Sequence, residues 1–441
     1  MASGLTAGQA RARAALPYQR SVLANGLRIL TQEIPAARSV AVGLFVGVGS
    51  RHEDEAHAGL SHLIEHLVFK GTRRYPDPGG LSQAVEGSGG SVNASTDREL
   101  TVYSARVPVD AAPRALEVVS DLVLSPLLRR RDLAAEKPVI VDEIRMYIDS
   151  PGDHIFSLFD ELLFGRHPLG REIAGTPRSV RRARHDAVLA HWSRWYRPAH
   201  IVLAVAGSIA HDTVTATAGD WFDGADGDPG PAVLPALLDP PTAIPPGSVR
   251  IDFRRLAQGN LCLGMPGVAR EHSDRWALDL LGAVLGDGMS SRLFLELRER
   301  RSLAYDVSTF GTTFADCGTF GVHAGFDPDK AAAVVGAILE QLERVVQEPV
   351  SAAELERARA YTCGRLQLRM EETGSVAAWL GVGESLLPRI MTVDEVIGHL
   401  EAVTVEDLLR VAQQYASPQL ARLAVLGPFR SHRRFERMLE R

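Results

Sequence analysis

The feature that most constrains the fold is a segment rich in Pro, Gly and Asp that divides the chain almost evenly. Residues 221–246 read WFDGADGDPGPAVLPALLDPPTAIPP and show neither helical nor strand periodicity. Such a composition is typical of an extended linker. At 441 residues the chain is also long enough for two or more domains. We therefore predict an N-terminal half over residues 1–220, a linker over 221–246 and a C-terminal half over 247–441.

The two halves show a similar order of predicted elements, which indicates a degenerate duplication. In the first half, strands are predicted at 21–33, 39–47, 91–94, 100–108 and 201–206, with helices at 111–124 and through Glu143. In the second half, strands are predicted at 249–253, 261–265, 304–309 and 318–326, with helices at 273–285, 290–300, 329–346 and 352–370. Both halves are thus predicted to mix sheet and helix.

The first half carries the pattern His-x-x-Glu-His in an apolar, helix-forming run, at His62, Glu65 and His66. On an α-helix the two histidines lie one turn apart on the same face, and Glu65 projects beside them. In a chain with 14 histidines, the alternative is a pair of ordinary solvated or core residues. However, two neutral imidazoles suit zinc, and an adjacent carboxylate can accept a proton from water. The order is that of the inverted zinc-protease motif, and it predicts one zinc ion per chain.

The wider segment Val46–Thr72, VGVGSRHEDEAHAGLSHLIEHLVFKGT, resembles the pitrilysin, or insulinase, family of zinc peptidases, in particular its shorter branch similar to mitochondrial processing peptidase. The resemblance implies a third zinc ligand on a second helix, and it aligns Glu143 with that ligand. It also aligns Glu136 with a family carboxylate that supports the site from behind the ligands. Pro138 lies between them, and a proline there would kink the helix or mark its first turn.

The second half has Ala277-Leu278-Asp279-Leu280-Leu281 where the first half has the metal motif. Its segment from residue 288 to 305, GMSSRLFLELRERRSLAY, resembles the part of the family that supplies an Arg and a Tyr, seven residues apart, to the cleft. The match implies that Tyr305 donates to the oxyanion formed during attack on a peptide carbonyl, and that Arg298 holds substrate carbonyls or a carboxylate. The residues alone also fit a solvated Arg on a charged helix and a Tyr packed in the core.

A further segment, residues 89–97 with the sequence GGSVNASTD, resembles the family's glycine-led edge strand beside the zinc. Exposed backbone groups on such an edge can pair with an extended peptide and add it to the sheet. The resemblance therefore implies substrate binding at Asn93, Ala94 and Ser95, with Asn93 fixing the peptide near the scissile bond. In isolation, the same segment fits a Gly-rich turn without a role in binding.

The resemblance covers nearly the whole chain and implies an α+β fold. Two homologous α/β halves, each a mainly antiparallel sheet with helices packed on one face, would face one another around a chamber. Because 441 residues supply one such pair of halves, it also implies a homodimer or a heterodimer with a related chain. The expected substrate is a peptide.

Composition argues against nucleic-acid-binding, membrane-associated and disulfide-rich proteins. A net charge of -6 shows no basic domain of the kind that binds nucleic acid. The longest apolar run, Val40–Gly49, is about half of what a membrane-spanning helix needs, so no membrane association is predicted. Three scattered cysteines do not form a disulfide framework, which favours a reducing cytoplasm. The preference for Arg over Lys, with abundant Ala and Gly, indicates a bacterium with a G+C-rich genome.

We therefore expect zinc-dependent hydrolysis of peptide bonds in short or unfolded peptides. The His-x-x-Glu-His residues and Glu143 are expected at its centre, with Glu65 as general base and then general acid, assisted by Tyr305 and Arg298 from the opposite half. Two alternatives stay open. One is a dedicated maturation protease that removes the leader of one precursor together with a partner chain. The other is a non-catalytic, peptide-binding subunit of the same family.

Overall fold

The computed structural model describes residues 18–222 and 245–440 of the chain. The predicted linker falls almost entirely outside these residues. The last helix before residue 223 is His211–Phe222, which takes in the first two residues of that predicted linker, and the next strand is Val249–Phe253. The domain boundaries at residues 220 and 247 therefore stay predictions.

The N-terminal half is built around a six-stranded sheet in which only one pair of neighbours is parallel. Its strands are Gln19–Val22 (β1), Arg28–Glu33 (β2), Ser39–Val46 (β3), Ser91–Thr96 (β4), Thr101–Pro108 (β5) and Ile201–Gly207 (β6). Its helices are Leu60–Val68 (α1), Pro78–Glu86 (α2), Ala112–Leu124 (α3), Arg130–Asp149 (α4), Pro151–Phe164 (α5), Pro177–Arg182 (α6), His185–Trp195 (α7) and His211–Phe222 (α8). The strand order is β1-β2-β6-β3-β5-β4, with β2 and β6 parallel.

The C-terminal half has a five-stranded sheet of the same kind. Its strands are Val249–Phe253 (β7), Gly259–Gly267 (β8), Ala304–Thr313 (β9), Gly318–Phe326 (β10) and Arg422–Gly427 (β11). Its helices are Arg275–Gly286 (α9), Ala331–Gln347 (α10), Ala352–Arg369 (α11), Thr373–Leu386 (α12), Val393–Ala402 (α13), Val405–Tyr415 (α14) and His432–Leu439 (α15), and a π-helical segment spans Phe294–Arg300. The strand order is β7-β11-β8-β10-β9, with β7 and β11 parallel.

The two sheets repeat one arrangement once β1 is set aside. Strands β2, β6, β3, β5 and β4 of the first sheet correspond in order to β7, β11, β8, β10 and β9 of the second. In each sheet the first of these pairs is parallel and the others are antiparallel. This confirms the predicted α+β fold of two homologous, mainly antiparallel halves. Each sheet also packs helices of its own half over one face, around a separate apolar core.

Each half contributes one helix to the opposite face of the other half's sheet. Helix α12 packs on β3 and β6, and α5 packs on β8 and β11. Glycine permits both close approaches. A Cβ atom on Gly381 of α12 would lie 2.1 Å from the ring of Phe45, and one on Gly264 of β8 would lie 2.6 Å from the ring of Phe159. Because each buried ring contributes about 1.5–3 kcal/mol, this exchange of helices fixes the two halves against each other.

One predicted strand is wrong in its extent. Residues 21–33 form parts of two antiparallel strands, β1 and β2, with a tight turn between them. Gly26 in this turn has a φ of +88°, and the side chain of Asn25 accepts a hydrogen bond from the backbone N–H of Leu27 at 3.1 Å. Asn-Gly is a strong local signal for such a turn.

Of the helices in the described parts of the chain, none combines the length and apolar character needed to cross a membrane.

Candidate metal centre

Helix α1 separates an apolar face from a face that carries the chemistry. Leu63, Ile64 and Leu67 point into the core of the N-terminal half and are almost fully buried. The 3.6-residue period then places His62, Glu65 and His66 on the other side of the helix. The apolar face anchors α1 to the sheet, so the three polar side chains are held in a fixed direction.

The N-terminus of α1 is held by a buried carboxylate. Gly59 precedes the helix with a φ of +94°, a conformation that glycine adopts without strain. Glu53 accepts hydrogen bonds from the backbone N–H groups of Gly59 at 2.7 Å and Ser61 at 2.6 Å. These are two of the donors that a helix leaves unpaired at its start. Glu53 therefore fixes the turn that carries His62.

The segment just before this carboxylate is tied to the C-terminal half. Arg51, which is buried, forms a 2.6 Å ion pair with Glu99 and a 2.7 Å ion pair with Asp316. Arg270 of the C-terminal half also pairs with Glu99. Buried charges of this kind are stable only when each has its partners. The path into α1 thus depends on contacts across the two halves.

Two side chains of α1 and one of α4 converge at the polar face of α1. The Nε2 atom of His62 lies 3.7 Å from Oε1 of Glu143, and the Nε2 atom of His66 lies 3.3 Å from its Oε2. One ligand atom from each residue can be chosen so that all three lie within 4.8 Å of one another. Zinc bonds to nitrogen and oxygen of about 2.0–2.2 Å place tetrahedral ligand atoms roughly 3.3–3.6 Å apart. The two imidazoles and the carboxylate therefore fit a single zinc ion in both chemistry and spacing.

Glu136 orients one of these imidazoles. Its Oε1 lies 2.9 Å from Nδ1 of His66, and its Oε2 lies 2.6 Å from Nζ of Lys70. Burial alone would raise the pKa of Glu136, but the hydrogen bonds to His66 and Lys70 outweigh it and lower that pKa. An ionised carboxylate can only accept, so the Nδ1–H of His66 donates to it and Nε2 is left to face Glu143. Pro138 neither ends α4 nor marks its first turn; the helix continues through it, and Glu136 and Glu143 lie on the same side.

The other imidazole is kept neutral by its surroundings. Burial lowers the pKa of His62 to about 4, and the charge of neighbouring His66 adds to this effect. The Nδ1 atom of His62 is buried without a hydrogen-bond partner among the described residues. A neutral imidazole is the form that binds a metal ion. His62 is thus in the state that a ligand needs.

Glu65 stands next to the cluster without belonging to it. The hydroxyl of Thr96, the last residue of β4, donates a 2.6 Å hydrogen bond to Oε2 of Glu65. Burial is the largest influence on the pKa of Glu65 and raises it, although the bond from Thr96 acts in the opposite direction. A raised pKa brings a carboxylate closer to the range in which it exchanges protons efficiently near neutral pH.

The segment with Asn93, Ala94 and Ser95 forms the middle of β4, the terminal strand of the sheet beside α1. One side of β4 pairs with β5, and in the described parts of the chain no strand pairs with its other side. Ala94 packs towards the core, whereas Asn93 and Ser95 are exposed. The backbone of β4 therefore offers an open edge close to Glu65.

Arg298 and Tyr305 do not belong to the cluster of His62, His66 and Glu143; they line a separate cleft in the C-terminal half. Tyr305 is 76% exposed, and the guanidinium carbon of Arg298 lies 5.2 Å from its ring centroid. Both residues line a cleft of about 470 Å³ together with the first turn of α5. No hydrogen bond, ion pair or ring contact between described residues joins them to His62 or to the rest of the metal cluster. The structure thus brings the three predicted metal ligands together, but it does not bring Arg298 and Tyr305 of the same chain into contact with them.

Sequence reasoning missed three residues that support the centre: Glu53, Lys70 and Thr96. Lys70 lies four residues after His66, a spacing that puts it on the same helical face and would have indicated the contact. Thr96 lies two residues after Ala94, so strand alternation predicts that both face α1. The role of Glu53 depends on the path of a loop, for which the sequence offers no comparable period.

Known protein families match both halves of the chain. Residues 28–177 match the family model of insulinase (peptidase family M16), and residues 182–361 match that of the peptidase M16 inactive domain. The first match contains the candidate metal centre. The second contains Arg298 and Tyr305. Together the two matches cover well over half of the chain.

Individual proteins are similar along nearly their whole length. A protein described as an uncharacterized zinc protease of Streptomyces coelicolor is 36% identical over 414 residues, which is 93% of this chain and 90% of that protein. A second uncharacterized zinc protease, from Bacillus subtilis, is 33% identical over 410 residues, with 93% and 98% covered.

Solved structures share the fold. A protease from Helicobacter pylori superposes with a TM-score of 0.83 at 22% identity, covering 93% of this chain and 99% of that one. A peptidase M16 inactive domain from Pseudomonas fluorescens superposes with a TM-score of 0.85 at 20% identity, covering 94% and 99%. From the family matches and the relatives of more than 30% identity, the chain belongs to the insulinase family, peptidase family M16.

Proposed function

We propose that this protein is a zinc-dependent peptidase that hydrolyses peptide bonds in short or unfolded peptides. The observation that carries the proposal is the convergence of His62, His66 and Glu143, with Glu65 held beside them by Thr96. The names of its relatives as zinc proteases support the same chemistry. We also propose one zinc ion per chain, a cytoplasmic setting and a place in the branch similar to processing peptidases.

The metal-binding set consists of His62, His66 and Glu143, with Glu136 holding the ring of His66. When bound, zinc supplies a Lewis acid that polarises the scissile carbonyl and makes water more acidic. Glu65 accepts the proton of the attacking water and returns it to the leaving amine, first as general base and then as general acid. Its contact with Thr96 supports this role, because it keeps the carboxylate beside the ligands rather than among them.

The substrate binds as an added strand. The free side of β4 offers backbone donors and acceptors at Asn93, Ala94 and Ser95, which directly precede Thr96, the strand end that contacts Glu65. Pairing through the backbone tolerates many substrate sequences. Exposed Asn93 is available to hold the peptide near the bond that is cut.

Arg298 and Tyr305 complete the site from a second chain across an enclosed chamber. In this proposal Tyr305 donates to the developing oxyanion, and Arg298 holds the substrate. A site shared in this way requires a homodimer or a heterodimer with a related chain.

The test combines metal analysis with product analysis. The purified chain, with and without a chelator, is incubated with a mixed peptide library, and mass spectrometry detects new peptide termini. We expect one zinc per chain and cleavage that the chelator abolishes. Glu65→Gln is expected to keep zinc and lose about 10²–10⁴-fold in turnover, whereas Glu143→Gln is expected to lose the metal.

Asp142→Asn is the matched control, because Asp142 neighbours Glu143 on α4 but pairs with exposed Arg145. It is expected to keep both metal and activity. Zinc-free chains from a zinc-supplemented preparation would contradict the proposal and favour a non-catalytic subunit. Cleavage of one leader peptide without cleavage of the library would instead indicate a dedicated maturation protease.

A further inference from the structure

A groove of about 600 Å³ lies beside α12, where three helices of the C-terminal half meet the beginning of the N-terminal half. Residues of α11, α12 and α13 form most of its walls, and the N-terminal half contributes Tyr18 and Gln32. A volume of this size is typical of a ligand-binding site. None of the candidate site residues lines the groove, so the proposed peptidase function does not account for it.

The walls of the groove are mainly apolar and only partly covered. Leu368 of α11 is 73% exposed. The indole of Trp379 is fixed by a 2.9 Å hydrogen bond from its Nε1–H to the backbone carbonyl of Met391. Most of the other lining residues are Val, Leu, Ile or Met. A contiguous apolar surface with a polar rim is typical of a place where another segment binds.

The charged residues that line the groove are both acids. Glu371 follows α11, and Asp394 lies in the first turn of α13. Within residues 18–222 and 245–440, neither side chain has an ion-pair or hydrogen-bond partner, and no Lys, Arg or His lines the groove. The groove therefore favours an occupant that combines apolar side chains with positive charge.

The described chain begins at this groove. Arg20 of β1 forms a 2.9 Å ion pair with Glu384, near the end of α12. Two residues earlier, Tyr18 packs against the apolar cluster that contains Leu380, one helical turn before Glu384. Two residues of a strand span about 6.6 Å and four residues of a helix about 6 Å. Followed backwards, the chain thus runs along α12 towards the start of that helix.

The sequence just before Tyr18 has the character that the groove favours. Residues 11–17 read RARAALP, with two arginines, and no acidic residue precedes them. An extended chain spans about 3.3 Å per residue, so Arg13 can lie about 16 Å from Tyr18. From Leu380 back to the start of α12 is about 10 Å, and Glu371 lies two residues beyond that start. Arg13 can therefore reach Glu371.

We propose that residues 11–17 bind in this groove of their own chain. Leu16 fills the apolar part, and the two arginines pair with Glu371 and Asp394. The bound segment adds a contact between the beginning of the chain and the C-terminal helices, next to the ion pair of Arg20 with α12. This inference goes beyond the proposed peptidase function and does not depend on it.

The first experiment determines what residue 16 contacts in the full-length protein. The photoreactive amino acid p-benzoylphenylalanine replaces Leu16, the protein is irradiated, and mass spectrometry identifies the cross-linked residues. We expect cross-links within one chain to residues of the groove, among them Leu368 and Met391. Cross-links that join two chains would assign the segment to a second copy, and cross-links only outside the groove would leave it without this occupant; either result would overturn the proposal.

The second experiment measures how far the groove protects the segment from trypsin, which cleaves after Arg11 and Arg13. A synthetic peptide of residues 1–20 is the unbound reference, and mass spectrometry records both rates. We expect cleavage in the full-length protein to be at least about ten-fold slower than in the peptide, because only the unbound segment enters the protease. Equal rates would contradict the proposal.

Charge substitutions in the groove then test the two acids. Glu371→Gln combined with Asp394→Asn is expected to speed cleavage of the full-length protein about five-fold or more, since two exposed ion pairs are lost. Glu372→Gln is the matched control, because Glu372 is equally exposed and adjacent but does not line the groove. The same rate in the double variant and the control would show that the acids do not hold the segment. Melting temperatures of the variants confirm that they are folded.

Discussion

His66 and Glu136 form a 2.9 Å hydrogen bond that determines how the candidate metal centre is presented. The buried carboxylate accepts from Nδ1–H, so the ring of His66 turns its Nε2 towards Glu143, 3.3 Å away. Lys70 holds the other oxygen of Glu136 at 2.6 Å. Lys70, Glu136, His66 and Glu143 thus form a continuous row of contacts that leads to the position of the metal.

Replacing Glu136 should therefore weaken metal binding without removing a ligand. We expect Glu136→Gln to lower zinc affinity about 10–100-fold, because the amide can no longer enforce the same tautomer and charge. Competition with a chromogenic zinc chelator measures the affinity. Asp142→Asn, on the same helix, should leave it unchanged. An affinity of Glu136→Gln equal to that of the unaltered chain would show that His66 needs no such support.

Thr96 should matter for turnover and not for metal binding. Thr96→Val keeps the shape of the side chain but removes the 2.6 Å hydrogen bond to Glu65. Because the carboxylate then loses its fixed position, we expect kcat to fall about ten-fold, with zinc content unchanged. Thr96→Ser, which retains the hydroxyl, should restore most of the activity. Loss of zinc in Thr96→Val would instead indicate a structural role for this strand end.

Some residues of the metal centre can be predicted from the sequence and others cannot. The difference depends on how far apart in the sequence the contacting residues lie. The faces of α1 follow from local periodicity, so the directions of His62, Glu65 and His66 could be predicted from seven consecutive residues. Glu143 lies far away in sequence, and only the resemblance to a family connected it to them. The contact between Thr96 and Glu65 needs the packing of β4 against α1, which no local pattern specifies.

The exchange of α5 and α12 between the halves illustrates a second limit. Helix α12, TGSVAAWLGVGESL, contains three glycines, which lower helix propensity and conceal the element in the sequence. Gly381 is nevertheless required, because the ring of Phe45 occupies the space of a Cβ atom. Such complementarity between distant residues appears only when both sheets are assembled. Pro138 shows the opposite case. Proline is normally unfavourable inside a helix, but α4 continues through Pro138 and packs against α1 and α6.

Tyr305 should affect turnover more than substrate binding. We expect Tyr305→Phe to lower kcat about 10²-fold with little change in KM, because a donor to an oxyanion acts mainly in the transition state. Steady-state kinetics on a peptide found in the library would measure both. An equal change in kcat/KM and KM, with kcat unchanged, would indicate that Tyr305 only binds the ground state.

A mixing experiment should show whether Tyr305 acts on its own chain or on a partner. If the site is shared, a dimer of one Glu65→Gln chain and one Tyr305→Phe chain contains one intact site. Random exchange of subunits should then restore about a quarter of the original activity from two nearly inactive variants. If Tyr305 serves the metal centre of its own chain, no mixture can recover activity, and light scattering would check that exchange produced dimers.

The last prediction concerns the ion pair between Arg292 and Glu354, which holds the start of the segment that carries Arg298. Arg292 binds Glu354 through hydrogen bonds of 2.6 and 3.0 Å, and Glu354 also caps α11 through Ser351. The bond to Arg292 is the main reason that the pKa of Glu354 is lowered to about 2. A carboxyl group with a lowered pKa stabilises the folded chain fully above its ordinary pKa, and this contribution is lost as the pH falls towards 2.

We therefore expect Glu354→Gln to lower the melting temperature at pH 7, by an amount that corresponds to about 1–2 kcal/mol, and the difference to shrink below about pH 4.5. Calorimetric scans between pH 7 and pH 3.5 would measure it. Glu356→Gln is the control, because Glu356 lies on the same helix and its side chain is 74% exposed. A difference that stays constant across this pH range would mean that the charge of Glu354 does not contribute and that only its shape matters.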